Sequence, residues 1–336
     1  VEVPKRSAEH LLMDSALDFD AFYQNRAPPE AERTGPIVVA SVDSKGIPMV
    51  KKGKAKRVAR RTKGERANKK RMATVATVFT QKPRIRSPEE VVESLFKDSE
   101  EQEEDFVRAP RNPPEYKRVW ASLKKGKEEV LKEVAEEMER RDPQGTKKRA
   151  VVTDGERALQ KRARSLLKAV ILILDLLHVM ERVWKAAHAL YSEGSKEAEE
   201  WTRKQALRIL RGEVSQAVKG MRRSATTREL SSAKRKGIRD TASYLYRNRS
   251  FMRYHEYLRE GLPIASGAVE GACKNLIKDR MERSGMRWTE PMAEAMLRMR
   301  AIYVSGDFDM YWDYHIHREQ NRLYSRRLKV PKSVVE

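Results

Sequence analysis

Three acidic side chains stand where a chain could hold divalent metal: Asp43, Asp154 and Glu270. Asp43 follows the apolar run Ile37-Val-Val-Ala-Ser-Val42, and Asp154 follows Ala150-Val-Val-Thr153. Each closes what reads as a buried strand, and ligands gather outside the carboxyl ends of strands in open α/β sheets. Two carboxylates there suit hard, oxygen-loving cations such as Mg²⁺. Glu270 lies in the first turns of a late helix, which can lean on the sheet edge and supply a third carboxylate. Three carboxylates around two metal ions are what phosphodiester chemistry needs. One ion lowers the pKa of an attacking water or 3′-hydroxyl, and the other stabilises the leaving oxygen. Simpler readings stand beside this one. Asp43 before Ser44-Lys45-Gly46 suits a turn, Asp154 before Gly155 suits a helix N-cap, and Glu270 can pair with Lys274 on a solvated face. Residue chemistry alone nominates Asp43 and Asp154, and Glu270 hardly at all.

The elements that would position these acids can be read along the chain. Residues 1–35 read as irregular. Ile37 to Val42 is a strand, Asp43-Ser-Lys-Gly46 a turn, and Ile47 to Val50 the return strand of a hairpin. A very basic connection leads to a third, β-branched strand from Met72 to Thr80. Residues 89–105, with nine acids and one Lys, read as a solvated connector. From about Pro114 to Arg141 the pattern is helical, with Trp120, Leu123, Val130, Leu131 and Val134 among charged side chains. The second half alternates: strand to Thr153, helix from Glu156 to Leu167, strand from Val170 to Leu174, helix from Leu176 to Tyr191. That order implies parallel strands beside the hairpin. The sum is a mixed five-stranded α/β sheet flanked by helices. Residues 194–254 read as an all-helical basic insertion. After Pro263 helices return, with Ser266 as an N-cap. The organisation expected is an N-terminal segment (1–35), a first core part (36–193), the insertion (194–254), and core completion with C-terminal helices (255–336). Trp120, Trp184, Trp201 and Trp312 are expected in helices, as core residues.

Asp175 is a competitor for the second acid, because it too ends a strand and precedes a helix. As an N-cap it would place His178 inside the same capping turn. His178 as a zinc ligand lacks a Cys or His partner at suitable spacing.

The net charge of +22 favours a polyanionic partner, nucleic acid first. Residues 51–71 hold twelve Lys or Arg against one Glu, and residues 203–239 hold twelve against two. Cations in such runs contact phosphates and position DNA without reading sequence. The candidate DNA contacts are Lys51, Lys52, Arg57, Arg60 and Arg61, and, around the late helix, Lys274, Lys278, Arg280, Arg287 and Trp288. No apolar run approaches the roughly 18 residues of a membrane span. Cys273 is the only cysteine, which excludes an intrachain disulfide and a Cys-rich zinc site. The N-terminus has no signal-peptide pattern and no initiator Met, so the chain reads as a fragment of a cytoplasmic protein.

The segment Gly261-Leu-Pro-Ile-Ala-Ser-Gly-Ala-Val-Glu270-Gly-Ala-Cys-Lys-Asn-Leu-Ile-Lys-Asp-Arg-Met-Glu-Arg-Ser-Gly-Met-Arg-Trp288 resembles the C-terminal signature of the ISKra group of insertion-sequence transposases. So do Ala293-Glu-Ala-Met-Leu-Arg-Met-Arg-Ala-Ile302 and Ser305-Gly-Asp-Phe-Asp-Met-Tyr-Trp312. Upstream, Ser41-Val-Asp43-Ser-Lys-Gly-Ile-Pro-Met49, Val152-Thr-Asp154-Gly-Glu156 and Leu174-Asp175-Leu-Leu-His178 resemble that family's other blocks in order. The resemblance covers about residues 35–320, patchily in the middle. It implies an RNase H-like core and a bacterial, nucleoid-associated DDE transposase with Asp43, Asp154 and Glu270 as catalytic metal ligands. It implies two Mg²⁺ or Mn²⁺ ions, double-stranded DNA (transposon ends and target) as partner, and a homodimer to hold two ends. Asp175 and His178 take a supporting role. Two rivals stand: a nuclease with the same site that only hydrolyses, and a non-enzymatic basic nucleic-acid-binding protein.

Overall fold

The computed structural model describes residues 8–50, 70–96 and 113–324. The chain begins with helices α1 (Ala8–Ser15) and α2 (Phe19–Asn25), so its first part is not the irregular segment expected. Phe19, Phe22 and Tyr23 of α2 are buried, and burial of those aromatic rings is what orders it.

Strand β1 (Ile37–Pro48) runs straight through Asp43-Ser-Lys-Gly46, where a turn was expected. The reason is its neighbour. Strand β2 (Lys70–Gln81) pairs antiparallel along the whole of it, from Ile37 opposite Gln81 to Pro48 opposite Lys70. Backbone groups past Asp43 are therefore satisfied by a ladder, and a turn would forfeit it. Helix α3 (Pro88–Leu95) begins with a reciprocal capping box between Ser87 and Glu90 where a solvated connector was expected.

The strand expected from Met72 to Thr80 is β2, and a further strand stands where none was expected. Strand β3 (Glu115–Ser122) occupies the first part of the stretch read as one helix, and Trp120 belongs to it. Tyr116, Val119 and Trp120 suit a strand, and the free edge of β2 offers the partner that their spacing could not announce. Helix α4 follows (Lys127–Arg141), its start fixed by the Glu129 carboxylate accepting the Gly126 N–H at 2.7 Å. Then come β4 (Lys148–Thr153), α5 (Arg157–Leu166), β5 (Val170–Leu174) and α6 (Leu176–Leu190). Helices α7 (Lys196–Leu210), α8 (Val214–Thr227), α9 (Ser232–Asn248) and α10 (Tyr254–Arg259) come next. Helix α11 (Gly267–Ala272) loosens into a π-helical segment (Cys273–Lys278), and α12 (Glu290–Ser305) and α13 (Phe308–Tyr324) end the described chain.

The sheet order is β3-β2-β1-β4-β5, with β2 antiparallel to both β1 and β3, and with β4 and β5 parallel to β1. This is the RNase H-like arrangement. Both faces are covered. Val38, Ala40, Val42 and Val151 join one core with α4, α5, α11 and α12, whereas Ile37, Val39, Ala150 and Val152 join a second with α3 and α6 to α10. The period-two alternation of a doubly covered sheet thus divides the protein into two hydrophobic layers. No helix of the described residues is long and apolar enough to cross a membrane. Trp312 is 39% exposed and so is not the core residue expected, while Trp184 and Trp201 are half-buried against the second core.

Candidate active site

Register places the acids. Ser41 of β1 pairs with Val152 of β4, and Val152 pairs with Ile173 of β5. That is the last row across the three parallel strands on the second-core face. Two residues further along each strand stand Asp43, Asp154 and Asp175. Neighbouring strands lie about 4.8 Å apart, so the continued register makes an acidic row at the carboxyl ends of β4 and β5. Asp43 does not end its strand as expected. It sits where β4 stops and β1 continues with β2 alone.

Local hydrogen bonds orient each carboxylate. Asp43 Oδ1 accepts the Ser44 N–H at 2.6 Å, and its Oδ2 accepts the Cys273 thiol at 3.5 Å. Asp154 Oδ1 accepts the Glu156 N–H at 2.9 Å, but the N-cap of α5 is Glu156 rather than Asp154. Behind it, the Tyr244 hydroxyl of α9 donates to the Asp154 carbonyl at 2.8 Å. Gly155 takes φ +87°, and a Cβ there would lie 2.7 Å from the Tyr244 oxygen, so only glycine suits this turn. Asp175 is the N-cap of α6 and fully buried. It accepts from Leu177 N–H at 2.9 Å, faces His178 Nδ1 at 3.2 Å, and receives the Ser266 hydroxyl. Ser266 occupies the N-cap position of α11, but its side chain does not cap that helix; it is turned to Asp175 instead.

Glu270 stands one turn into α11, and α11 packs on β1 and β2 through Val269, Ala272 and Cys273. Oxygens of Glu270 and Asp175 and a ring nitrogen of His178 lie within 4.8 Å of one another. Glu270 therefore reaches the Asp175 end of the row. Burial pushes its carboxyl above the ordinary range and Asp175 pushes it further, His178 opposes them, and Glu181 and Asp43 add lesser upward pushes. His178 is pushed up to about 9, first by its hydrogen bond to Asp175, against desolvation. Burial, then Asp43, hold the Cys273 thiol far above its usual range, so it stays protonated as a donor. The site is thus a group of oxygen donors with excess negative charge and one compensating imidazolium.

Lys274, Lys278, Arg280 and Arg287 are exposed on the segment that follows Glu270. Trp288 is half-buried: its Nε1–H donates to the Met281 carbonyl at 3.1 Å, and its backbone pairs with Pro48 and Val50. It pins this segment to the tip of β1. Lys51, Lys52, Arg57, Arg60 and Arg61 lie outside the described residues. Sequence reasoning missed Cys273, Ser266 and Tyr244 as partners of the acids. Cys273 lies three residues after Glu270, hence on a neighbouring face of the same helix. Nothing in the sequence links Tyr244 to Asp154 across 90 residues.

No family model matches the chain, and no curated protein matches it. Among solved structures it is similar to the Drosophila P element transposase strand transfer complex. The identity is 10%, the TM-score 0.26, and the likeness spans 95% of this chain and 70% of that one. The superposition is loose, and the fold assignment rests on sheet order and register.

Proposed function

We propose that the chain is a DNA transposase of the ISKra type, cutting and joining phosphodiester bonds at Asp43, Asp154 and Glu270. The observation that carries this is the acidic row of Asp154 and Asp175 at the ends of β4 and β5 and Asp43 beside them within β1, with Glu270 reaching its Asp175 end. The donor set fits divalent metal. All four acids offer hard oxygen, the ligand that such cations prefer. Two Mg²⁺ or Mn²⁺ ions would supply activation of the attacking oxygen and stabilisation of the leaving one.

The chain's own residues do the rest. Asp43 and Asp154 each keep part of their surface to solvent, with one oxygen tied to a backbone N–H, so both are oriented and able to ligate. Asp175 is committed to three donors inside the protein, so we assign it and His178 to positioning. Ser266, by gripping Asp175, holds the helix that carries Glu270. The exposed cations Lys274, Lys278, Arg280 and Arg287 follow on that same segment, where they would bind the DNA backbone and screen its charge from the acids. DNA of both ends and target is the proposed partner, a homodimer the proposed assembly, and the bacterial nucleoid the proposed place of action.

The test is strand transfer with pre-cut transposon-end duplexes and a target plasmid. Joined products that require Mg²⁺ or Mn²⁺ are expected. Hydrolysis without joining would reduce the chain to a nuclease, and no metal-dependent reaction at all would refute the enzyme.

A further inference from the structure

A cleft of about 620 Å³ opens beside the acidic row. Its floor includes Leu176, Leu177 and Ile264, and the Leu176 N–H donates to the Ile264 carbonyl at 2.9 Å. These residues adjoin Asp175 and Ser266, so the cleft shares its floor with the segments that grip each other at the site. One wall is the strap Arg84-Ile85-Arg86, held by backbone bonds from Arg84 N–H to Gly261 and from Arg86 N–H to Leu258. The other wall is α3.

The lining has two characters. Ile85, 73% exposed, and Val91 and Leu95 give it apolar sides. Arg84 and Arg86 give it charge, and Arg86 Nε is sequestered from solvent with no hydrogen-bond partner among the described residues. Glu90 also lines the cleft, but its Oε2 is taken by the Ser87 N–H at 2.7 Å. That Nε lacks an acceptor, and the fork of a guanidinium matches phosphate oxygens. A volume of this size takes one small ligand and excludes a duplex.

We propose that the cleft binds a single unpaired nucleotide of the DNA flanking the cleavage site, the base between the apolar walls and the phosphate on Arg84 and Arg86. The proposal rests on DNA being the substrate. A base leaving its stack needs such an apolar slot, and one residue of floor separates it from Asp175.

Binding of blunt duplexes, and of duplexes with a short single-stranded flank carrying 2-aminopurine, is measured in Ca²⁺, with free dAMP as a second ligand. Wild type is expected to bind the flanked duplex about tenfold tighter than the blunt one, the worth of one charge-assisted phosphate contact. The double variant Arg84→Ala/Arg86→Ala should lose that preference and keep blunt binding. Ser94→Trp, an exposed rim position on α3 that fills the cleft without touching the core, should do the same. Equal affinity of wild type for both duplexes, or a preference surviving Ser94→Trp, overturns the proposal and leaves DNA as substrate. Binding of neither duplex overturns the DNA reading itself. Tight uptake of dAMP without preference for a flank gives the cleft to a free nucleotide and overturns the assignment to DNA.

Discussion

Replacing Ser266 with alanine should loosen the link between the sheet and the helix that carries Glu270. The Ser266 hydroxyl donates to Asp175, whose carboxylate is 0% exposed and has two other donors, Leu177 N–H and His178. Water has no route to replace the lost donor, so the lost bond is not offset by solvent. A hydrogen bond to a charged acceptor contributes about 2 kcal/mol. Unfolding entropy of about 2.1 cal/mol/K per residue gives roughly 0.7 kcal/mol/K for a chain of 336 residues. The melting temperature should therefore fall by about 3 °C. Urea denaturation gives the same difference as a free energy, with an unchanged m-value. Ser266→Thr, which keeps the hydroxyl, should recover most of the loss. In a double-mutant cycle with Asp175→Asn, the two losses should couple rather than add. A Ser266→Ala protein within about 0.5 kcal/mol of wild type, the usual scatter of neutral substitutions, would refute the view that this hydroxyl completes the Asp175 shell.

Other perturbations follow from the same geometry. Tyr244→Phe removes the donor to the Asp154 carbonyl and should cost about 1 kcal/mol in urea unfolding. Gly155→Ala should cost more, about 3 kcal/mol, because it adds left-handed strain and a Cβ 2.8 Å from Leu174 Cδ1. His178 gives a pH dependence in metal-free buffer. Its pKa rises from 6.5 to about 9 on folding, chiefly through Asp175. A raised pKa of a cationic group stabilises fully below pH 6.5 and is lost as pH climbs through about 9. The urea midpoint should decline across that window in wild type and stay flat in His178→Gln.

The sheet was legible where strand chemistry was local. The β-branched runs before Asp154 and Asp175 gave β4 and β5 to within a few residues, and their alternation with helices gave the parallel pairing. It was illegible where pairing decided. Asp43-Ser-Lys-Gly46 has turn chemistry, yet β2 supplies a ladder along its whole length, and the ladder prevails. Trp120 and Leu123 fall at helical spacing with the residues of α4, yet an open sheet edge claims the first eight. The candidate site divides in the same way. Asp154 and Asp175 follow from strand ends, and Asp43 from the register that sets it beside them. Glu270 follows from neither, because its place depends on how α11 packs over β1 and β2, with Cys273 meeting Asp43 across 230 residues of sequence.

Metal-dependent cutting of DNA by these acids is open to direct test. Nicking of supercoiled DNA tests it most directly, with Mg²⁺, Mn²⁺ or EDTA, in wild type, Asp43→Asn, Asp154→Asn and Glu270→Gln, each confirmed folded by circular dichroism. Metal-dependent nicking by wild type is predicted, with all three variants at the EDTA level. Nicking by Asp43→Asn at the wild-type rate would contradict it.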